Sequence, residues 1–289
     1  MKGILLAGGA GTRLYPITIS ISKQIIPVYD KPMIYYPLTT LMLAGIKDIL
    51  IISTPEDIPR FEMLLGDGKQ WGISLSYAVQ EKPEGLPQAF TIAQDFIKDS
   101  HVALILGDNF FFGHGLPEQI RSAIDKNTGA TIFTHYVSDP ERFGVVSFKS
   151  DGTIEGIEEK PLKPKSNYAV TGLYLYDSKV VDHVAGLKLS ERGELEISDL
   201  NITYLNENNL RVELIGRGII WLDAGTPAAL ETASSYVHAA ENLQYLRIAC
   251  PEEVAYETGF IDHNQLRKLA DPIKSSPYGA YLLSLLKSI

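Results

Sequence analysis

The N-terminus sets the strongest constraint on this chain. The apolar run Ile4-Leu5-Leu6 ends at once in Ala7-Gly8-Gly9-Ala10-Gly11-Thr12-Arg13-Leu14, so a buried strand must leave its sheet into a glycine loop. Glycines let peptide N–H groups approach phosphate oxygens, and Arg13 adds a bidentate phosphate donor. Leu14 occupies the place of the third glycine in a dinucleotide-binding G-x-G-x-x-G, and no Gly-Lys-Ser/Thr follows as in a P-loop. The loop therefore points to phosphate binding of another kind.

Downstream, short β-branched runs alternate with helix-length patterns. Strands are predicted over Asp48 to Ser53, Ile73 to Gln80, Val102 to Leu106 and Ala130 to Val137, which implies an α/β domain with a largely parallel sheet. After Pro140 the texture becomes strand-rich, around Phe143 to Phe148, Thr153 to Glu158 and Tyr168 to Tyr176. Pro227 to Arg247 reads as a long helix starting near Gly225 or Thr226, and a short helical tail follows Pro251. No repeat or flexible linker divides the chain, so its parts are expected to fold together.

Among 289 residues, 45% are hydrophobic and 21% charged, enough for a sizeable core. A net charge of -9 argues against nucleic acid or an anionic membrane as the main partner, so a polyanionic substrate must meet a locally basic pocket. The single cysteine, Cys250, excludes an internal disulfide and is expected to be a small buried residue. No secretory leader or membrane segment is read, and a cytoplasmic location is expected.

Lys23, ten residues after Arg13, would add charge to balance a triphosphate. Asp108 follows the strand Val102 to Leu106, at the carboxyl end where α/β ligand sites lie. Asp223 stands in Trp221-Leu222-Asp223-Ala224-Gly225, and two carboxylates with phosphate oxygens and water suit octahedral Mg2+. Each aspartate alone also fits a turn or cap. His114, in Gly113-His114-Gly115, is the one histidine close in sequence to these residues. The aromatic run Phe110 to Phe112 before it reads as a loop leaving the strand. Tyr15, Tyr35 and Tyr36 read as packing residues with hydrogen-bonded hydroxyls, and Trp221 as packing beside the acidic site.

Several separated motifs carry a family resemblance over essentially the whole chain: Gly8 to Leu14, Ser22-Lys23-Gln24, Tyr29-Asp30-Lys31-Pro32-Met33, Gly107-Asp108-Asn109, Glu158-Glu159-Lys160-Pro161, Gly193-Glu194-Leu195-Glu196 and Trp221-Leu222-Asp223. In this order they resemble the glucose-1-phosphate thymidylyltransferases (dTDP-glucose pyrophosphorylases) of the sugar nucleotidylyltransferase family. The resemblance implies a Rossmann-like fold with a mostly parallel mixed sheet flanked by helices. Its nucleotide-binding part would span about 1–139, its sugar-binding and assembly part about 140–250, and a helical segment 251–289. It implies dTTP and glucose 1-phosphate as substrates, Mg2+ held by Asp108 and Asp223, and Arg13 and Lys23 on the triphosphate. Gly8, Gly9, Gly11 and Thr12 would hold the nucleotide, with Gln24, Gln80, Pro83 and Gly85 at the base. Asn109, Gly144, Glu159 and Val170 would line the sugar pocket, with Lys160 and Arg192 near the sugar phosphate. A homotetramer, feedback by a downstream dTDP-sugar and a place at the start of dTDP-rhamnose-type biosynthesis are also implied.

Two departures from the family pattern are Phe143, where tyrosine is common, and Ala224, where threonine is. Two other readings stay open. A uridylyltransferase could use the same machinery, because a glutamine amide can turn over and Gln80 alone does not separate bases. A nucleotide-sugar sensor would keep the fold without turnover.

Overall fold

The computed structural model describes residues 1–9, 11–190 and 192–287. Ala10 of the glycine loop and the last two residues of the expected tail lie outside the described residues.

The strands in chain order are β1 (Lys2–Leu6), β2 (Pro27–Val28), β3 (Lys31–Pro32), β4 (Asp48–Ser53), β5 (Ser74–Val79), β6 (Val102–Leu106), β7 (Asn109–Gly113), β8 (Ala130–Tyr136), β9 (Gly144–Phe148), β10 (Ile154–Glu159), β11 (Tyr168–Tyr176), β12 (Leu210–Leu214) and β13 (Ile219–Asp223). The central sheet runs β10-β9-β11-β6-β1-β4-β5, with β8 pairing β11 and β12 beside this path. Pairings of β1 with β4 and β6, of β4 with β5 and of β8 with β12 are parallel. β11 joins β6, β8 and β9 antiparallel. The expected α/β sheet is thus mixed, parallel throughout its N-terminal half.

Helices cover both faces, which explains why β1 is apolar without alternation. Leu5 and Ala7 enter one core, beneath α1 (Tyr35–Leu43), α2 (Ile58–Leu65) and α5 (Leu116–Lys126). Ile4 and Leu6 enter the other, beneath α3 (Gln88–Ile92), α4 (Gln94–Ile97), α6 (Val180–Ala185) and α7 (Ile197–Asn206). A third cluster forms where α8 (Pro227–Gln244) packs on Val28, Met33, Tyr36 and Phe110.

The Thr226 side chain caps α8 by accepting from the Ala229 N–H at 3.3 Å. The helix ends at Gln244, short of the expected Arg247, because Tyr245 turns left-handed at φ 56°. A buried ion network holds this end: Lys31, 2% exposed, bonds Glu241 at 2.8 Å and also Asp30. Glu241 accepts from Arg247 at 2.7 Å and from the Ile248 N–H at 2.8 Å. The Tyr29 to Met33 motif is therefore a clamp between the β2–β3 hairpin and α8.

The expected tail is α9 (Pro251–Glu257), α10 (His263–Ala270) and α11 (Pro277–Leu285). Cys250, Val254, Leu266 and Leu282 belong to the same core as Leu5 and Trp71, and Cys250 is fully buried as expected. Among the described residues, no helix is long and apolar enough to cross a membrane.

Two expectations are corrected. Phe110 to Phe112 is no loop but the middle of β7, which pairs antiparallel with β13. Tyr15 is 54% exposed, because the turn Thr12–Leu14 rolls Leu14 into the core and Tyr15 outward. Tyr36, by contrast, donates its hydroxyl to the Val28 carbonyl at 2.8 Å, and Tyr35 packs edge-on to Trp71.

Because the tail shares the main core, Leu266→Ala should destabilise the whole protein by about 2–5 kcal/mol while leaving the kcat of folded molecules near normal. Urea denaturation followed by fluorescence checks this, and an unchanged midpoint would refute the shared core.

Candidate active site

A cleft of about 310 Å³ opens at the carboxyl ends of β1 and β6. Gly8, Arg13, Lys23, Gln24, Asp108, Asn109, Gly144, Glu159, Lys160, Val170, Arg192 and Asp223 all line it. Gly9, Gly11 and Thr12 form the turn between Gly8 and Arg13 and do not line the cleft. Gln80 stands behind Gly8, its Oε1 2.4 Å from where a Cβ on Gly8 would lie. Pro83 is exposed, and Gly85 pairs with Leu195 rather than facing the cleft.

The acidic end is built by the β7–β13 ladder. Asp223 pairs with Asn109 in register, and the Ala224 N–H donates to the Asp108 carbonyl at 3.0 Å. Two carboxylates remote in sequence are thereby delivered to one buried spot. Lys23 donates to Asp108 Oδ2 at 2.5 Å, and Asn109 Nδ2 donates to Oδ1 at 3.1 Å. Burial pushes the Asp108 carboxyl up, but the Lys23 charge and these hydrogen bonds outweigh it and hold the group below the usual carboxylate range. Asp223 has the opposite balance: burial and the neighbouring Asp108 raise it, and Arg13 and Lys23 offset only part.

Asp108 and Asp223, whose charges act on each other in this enclosed site, could together hold a cation. Among the described residues no group of three or more His, Cys, Asp or Glu is suited to a metal. The donor set fits a small hard cation such as Mg2+, which commonly takes one or two carboxylates and completes its shell with substrate phosphates and water.

Asn109 is the hub of this end. Its Oδ1 accepts from Trp221 Nε1 at 2.6 Å and from the Gly172 N–H at 3.0 Å, and Trp221 packs beside the acidic pair as expected. The Trp221 ring in turn meets Phe143 at 5.1 Å between centroids, so Phe143 serves as packing with no need of a hydroxyl. Ala224 is fully buried against apolar neighbours, where a threonine hydroxyl would need a partner.

At the opposite end Glu159 Oε2 accepts from Ser198 at 2.5 Å, while its Oε1 lies 3.3 Å from Lys160 and 3.5 Å from Arg192. Glu196 grips Arg192 with Oε1 at 3.1 Å from Nε and Oε2 at 2.7 Å from the terminal nitrogen. Gly144 keeps this end open, because a Cβ there would lie 3.1 Å from the Ser198 hydroxyl. One end thus has a carboxylate pair with Arg13 and Lys23, and the other has Lys160, Arg192 and the hydrogen-bonding Glu159.

Sequence reasoning missed Ser198 and Gly172. Ser198 is an ordinary-looking serine in the first turn of α7, with no motif to single it out. Gly172 sits where the β11–β8 register shifts between Val170 and Tyr174, and a fold-level irregularity of this kind leaves no local signal. His114 is exposed beyond the far end of β7, about 20 Å along the chain from Asp108 at ordinary strand rise.

Residues 2–240 match the family model for nucleotidyl transferases. The chain belongs to the nucleotidyl transferase family. This nucleotidyltransferase is 54% identical over 286 residues, 99% of its length and 97% of the relative's, to a glucose-1-phosphate thymidylyltransferase of Xanthomonas campestris pv. campestris. A Bacillus anthracis protein provisionally assigned as a glucose-1-phosphate thymidylyltransferase, crystallised with a sucrose, superposes with a TM-score of 0.75 at 44% identity, over 82% of this chain and 94% of that one. A UDP-glucose pyrophosphorylase shares the fold at 23% identity and a TM-score of 0.72, over 83% and 98% of the two chains.

Gly172→Ala should disable this nucleotidyltransferase without unfolding it. The new Cβ would lie 2.5 Å from the Asn109 side chain and force it off Asp108 and Trp221. A circular dichroism spectrum like that of the parent with a kcat lowered about tenfold or more is expected. A kcat equal to that of the parent would show that Asn109 does not organise the acidic end.

Proposed function

We propose that the protein transfers the thymidylyl group of dTTP to glucose 1-phosphate, giving dTDP-glucose and pyrophosphate, with Mg2+ held by Asp108 and Asp223. The observation that carries this reading is the polarity of this cleft. A carboxylate pair with Arg13 and Lys23 suits a metal-bound triphosphate, and Lys160, Arg192 and Glu159 suit a sugar phosphate.

The attacking oxygen belongs to the sugar phosphate and is already anionic at neutral pH, so no strong protein base is required. The barrier is repulsion between two anions and the entropy of aligning them. Bound Mg2+ would supply charge neutralisation at the triphosphate. Arg13 lies against Gly225 beside Asp223, where its guanidinium can meet triphosphate oxygens. Lys23, bonded to Asp108, stands where its ammonium could also meet triphosphate oxygens, and Asp108 and Asp223 would hold the cation. Lys160 and Arg192 would steer the sugar phosphate, and Glu159 would accept from sugar hydroxyls.

No covalent nucleotidyl-enzyme is needed, and the exposed place of His114 far from Asp108 supports a direct displacement with both substrates bound together. The retained charges of the cleft favour turnover over a sensor role. A homo-oligomeric assembly is part of the same proposal.

A panel of triphosphates against glucose 1-phosphate, read as kcat/KM from pyrophosphate release, tests the substrate assignment. dTTP should lead, and UTP at or above dTTP would replace thymidylyl by uridylyl transfer. Asp108→Asn and Asp223→Asn should each lower kcat by about 100-fold or more with folding intact, the scale lost when a placed charge is removed from a transition state. A near-normal kcat in either variant would remove that residue from the metal site.

A further inference from the structure

Gln80 follows β5, is 4% exposed and is fixed through its N–H to the Ser53 carbonyl at 2.7 Å. Its side chain is also fixed. Gln80 Nε2 donates to Gln88 Oε1 at 2.6 Å. Gln88 cannot turn over, because its Oε1 also accepts from the Glu84 N–H at 3.1 Å while its Nε2 donates to the Glu84 carboxylate at 2.9 Å. A peptide N–H only donates and a carboxylate only accepts, so Glu84 dictates both ends of the Gln88 amide. Glu84 is itself anchored: its carbonyl accepts from the Leu195 N–H at 2.8 Å, in the segment that also carries Arg192, Glu196 and Ser198. Gly85 permits that approach, with φ 105° and a Leu195 oxygen 2.0 Å from where its Cβ would be.

We propose that Gln88 is a positioning residue that pins the Gln80 amide in one orientation, so that the cleft accepts the thymine edge and rejects the cytosine edge. The inference rests on the proposed role of Gln80 at the base. Thymine presents a donor at N3 and an acceptor at position 4, and cytosine presents the reverse. An amide free to turn over satisfies either edge and discriminates neither. With Nε2 committed to Gln88, Oε1 stays on the side of Gly8, where the cleft begins, and only one edge is matched. The mismatched edge then leaves buried polar groups unpaired. Gln88 touches no substrate in this account and acts only through Gln80.

The test is the ratio of kcat/KM for dTTP to that for dCTP, each with glucose 1-phosphate, a quantity in which any general loss of folded protein cancels. Gln88→Met should lower the ratio about tenfold or more, chiefly by improving dCTP. Gln88→Glu keeps both acceptor bonds, from Gln80 Nε2 and from the Glu84 N–H, but sets a carboxylate against that of Glu84; combined with Glu84→Gln, which restores a donor across that contact, it should preserve the ratio. In a Gln80→Ala background, Gln88→Met should change nothing further. An unchanged ratio in Gln88→Met, with Gln80→Ala lowering it, would overturn the role of Gln88 alone. An unchanged ratio in Gln80→Ala would overturn the assignment of Gln80 to the base. A further drop from Gln88→Met in the Gln80→Ala background would show that Gln88 acts by another route.

Discussion

The active cleft depends on the antiparallel pairing of β7 with β13. That ladder sets Asp223 opposite Asn109 and ties the Ala224 N–H to the Asp108 carbonyl, so two acidic side chains share one buried place. Like charges brought together out of water are costly unless something compensates them. Here Lys23 compensates Asp108 directly, and Asp223 is left raised by burial and by its neighbour. In the proposed function a divalent cation would join such a pair and offset the cost of holding its charges together. The ladder also delivers the chain into Thr226, which caps α8, and Lys31, Glu241 and Arg247 clamp the far end of that helix.

Backbone contacts tie segments around the cleft to one another. Leu195 meets Glu84 and Gly85 from one side, while the same segment presents Arg192, Glu196 and Ser198 to the cleft. Asn109 links Asp108, Trp221 and Gly172 at the β11 irregularity, so the acidic end is tied to the sheet. A cleft whose catalysis consists of charge and alignment needs such rigid cross-ties, since small displacements of reacting groups are expensive.

Much of this was legible in the sequence because it is written locally. The β1 run and its glycine loop, the strands Asp48–Ser53, Val102–Leu106 and Tyr168–Tyr176, and the cap at Thr226 follow from apolar runs, breakers and cap chemistry. β7 was not legible, because Phe110 and Phe111 enter different cores and its partner β13 arrives from far along the chain. β12, a half-buried strand that pairs with β8, does alternate cleanly as Leu210-Arg211-Val212-Glu213-Leu214 and was legible, but at five residues between a helix and a glycine-containing turn it went unread. At the site, charged residues inside motifs were readable. Residues that work by orienting others were not: Gln88 begins a short helix, Ser198 sits in the first turn of another, and Gly172 is one glycine in a buried strand. Their roles exist only as distances to Gln80, Glu159 and Asn109.

The central claim is that this cleft aligns two phosphates for a single direct displacement, with charge and positioning as the whole of catalysis. The most direct measurement is the stereochemical course at the α-phosphorus, using one diastereomer of dTTP carrying sulfur at that position with glucose 1-phosphate and assigning the product by phosphorus NMR. Inversion of configuration is predicted. Retention would require two displacements through a nucleotidyl-enzyme and would contradict the account.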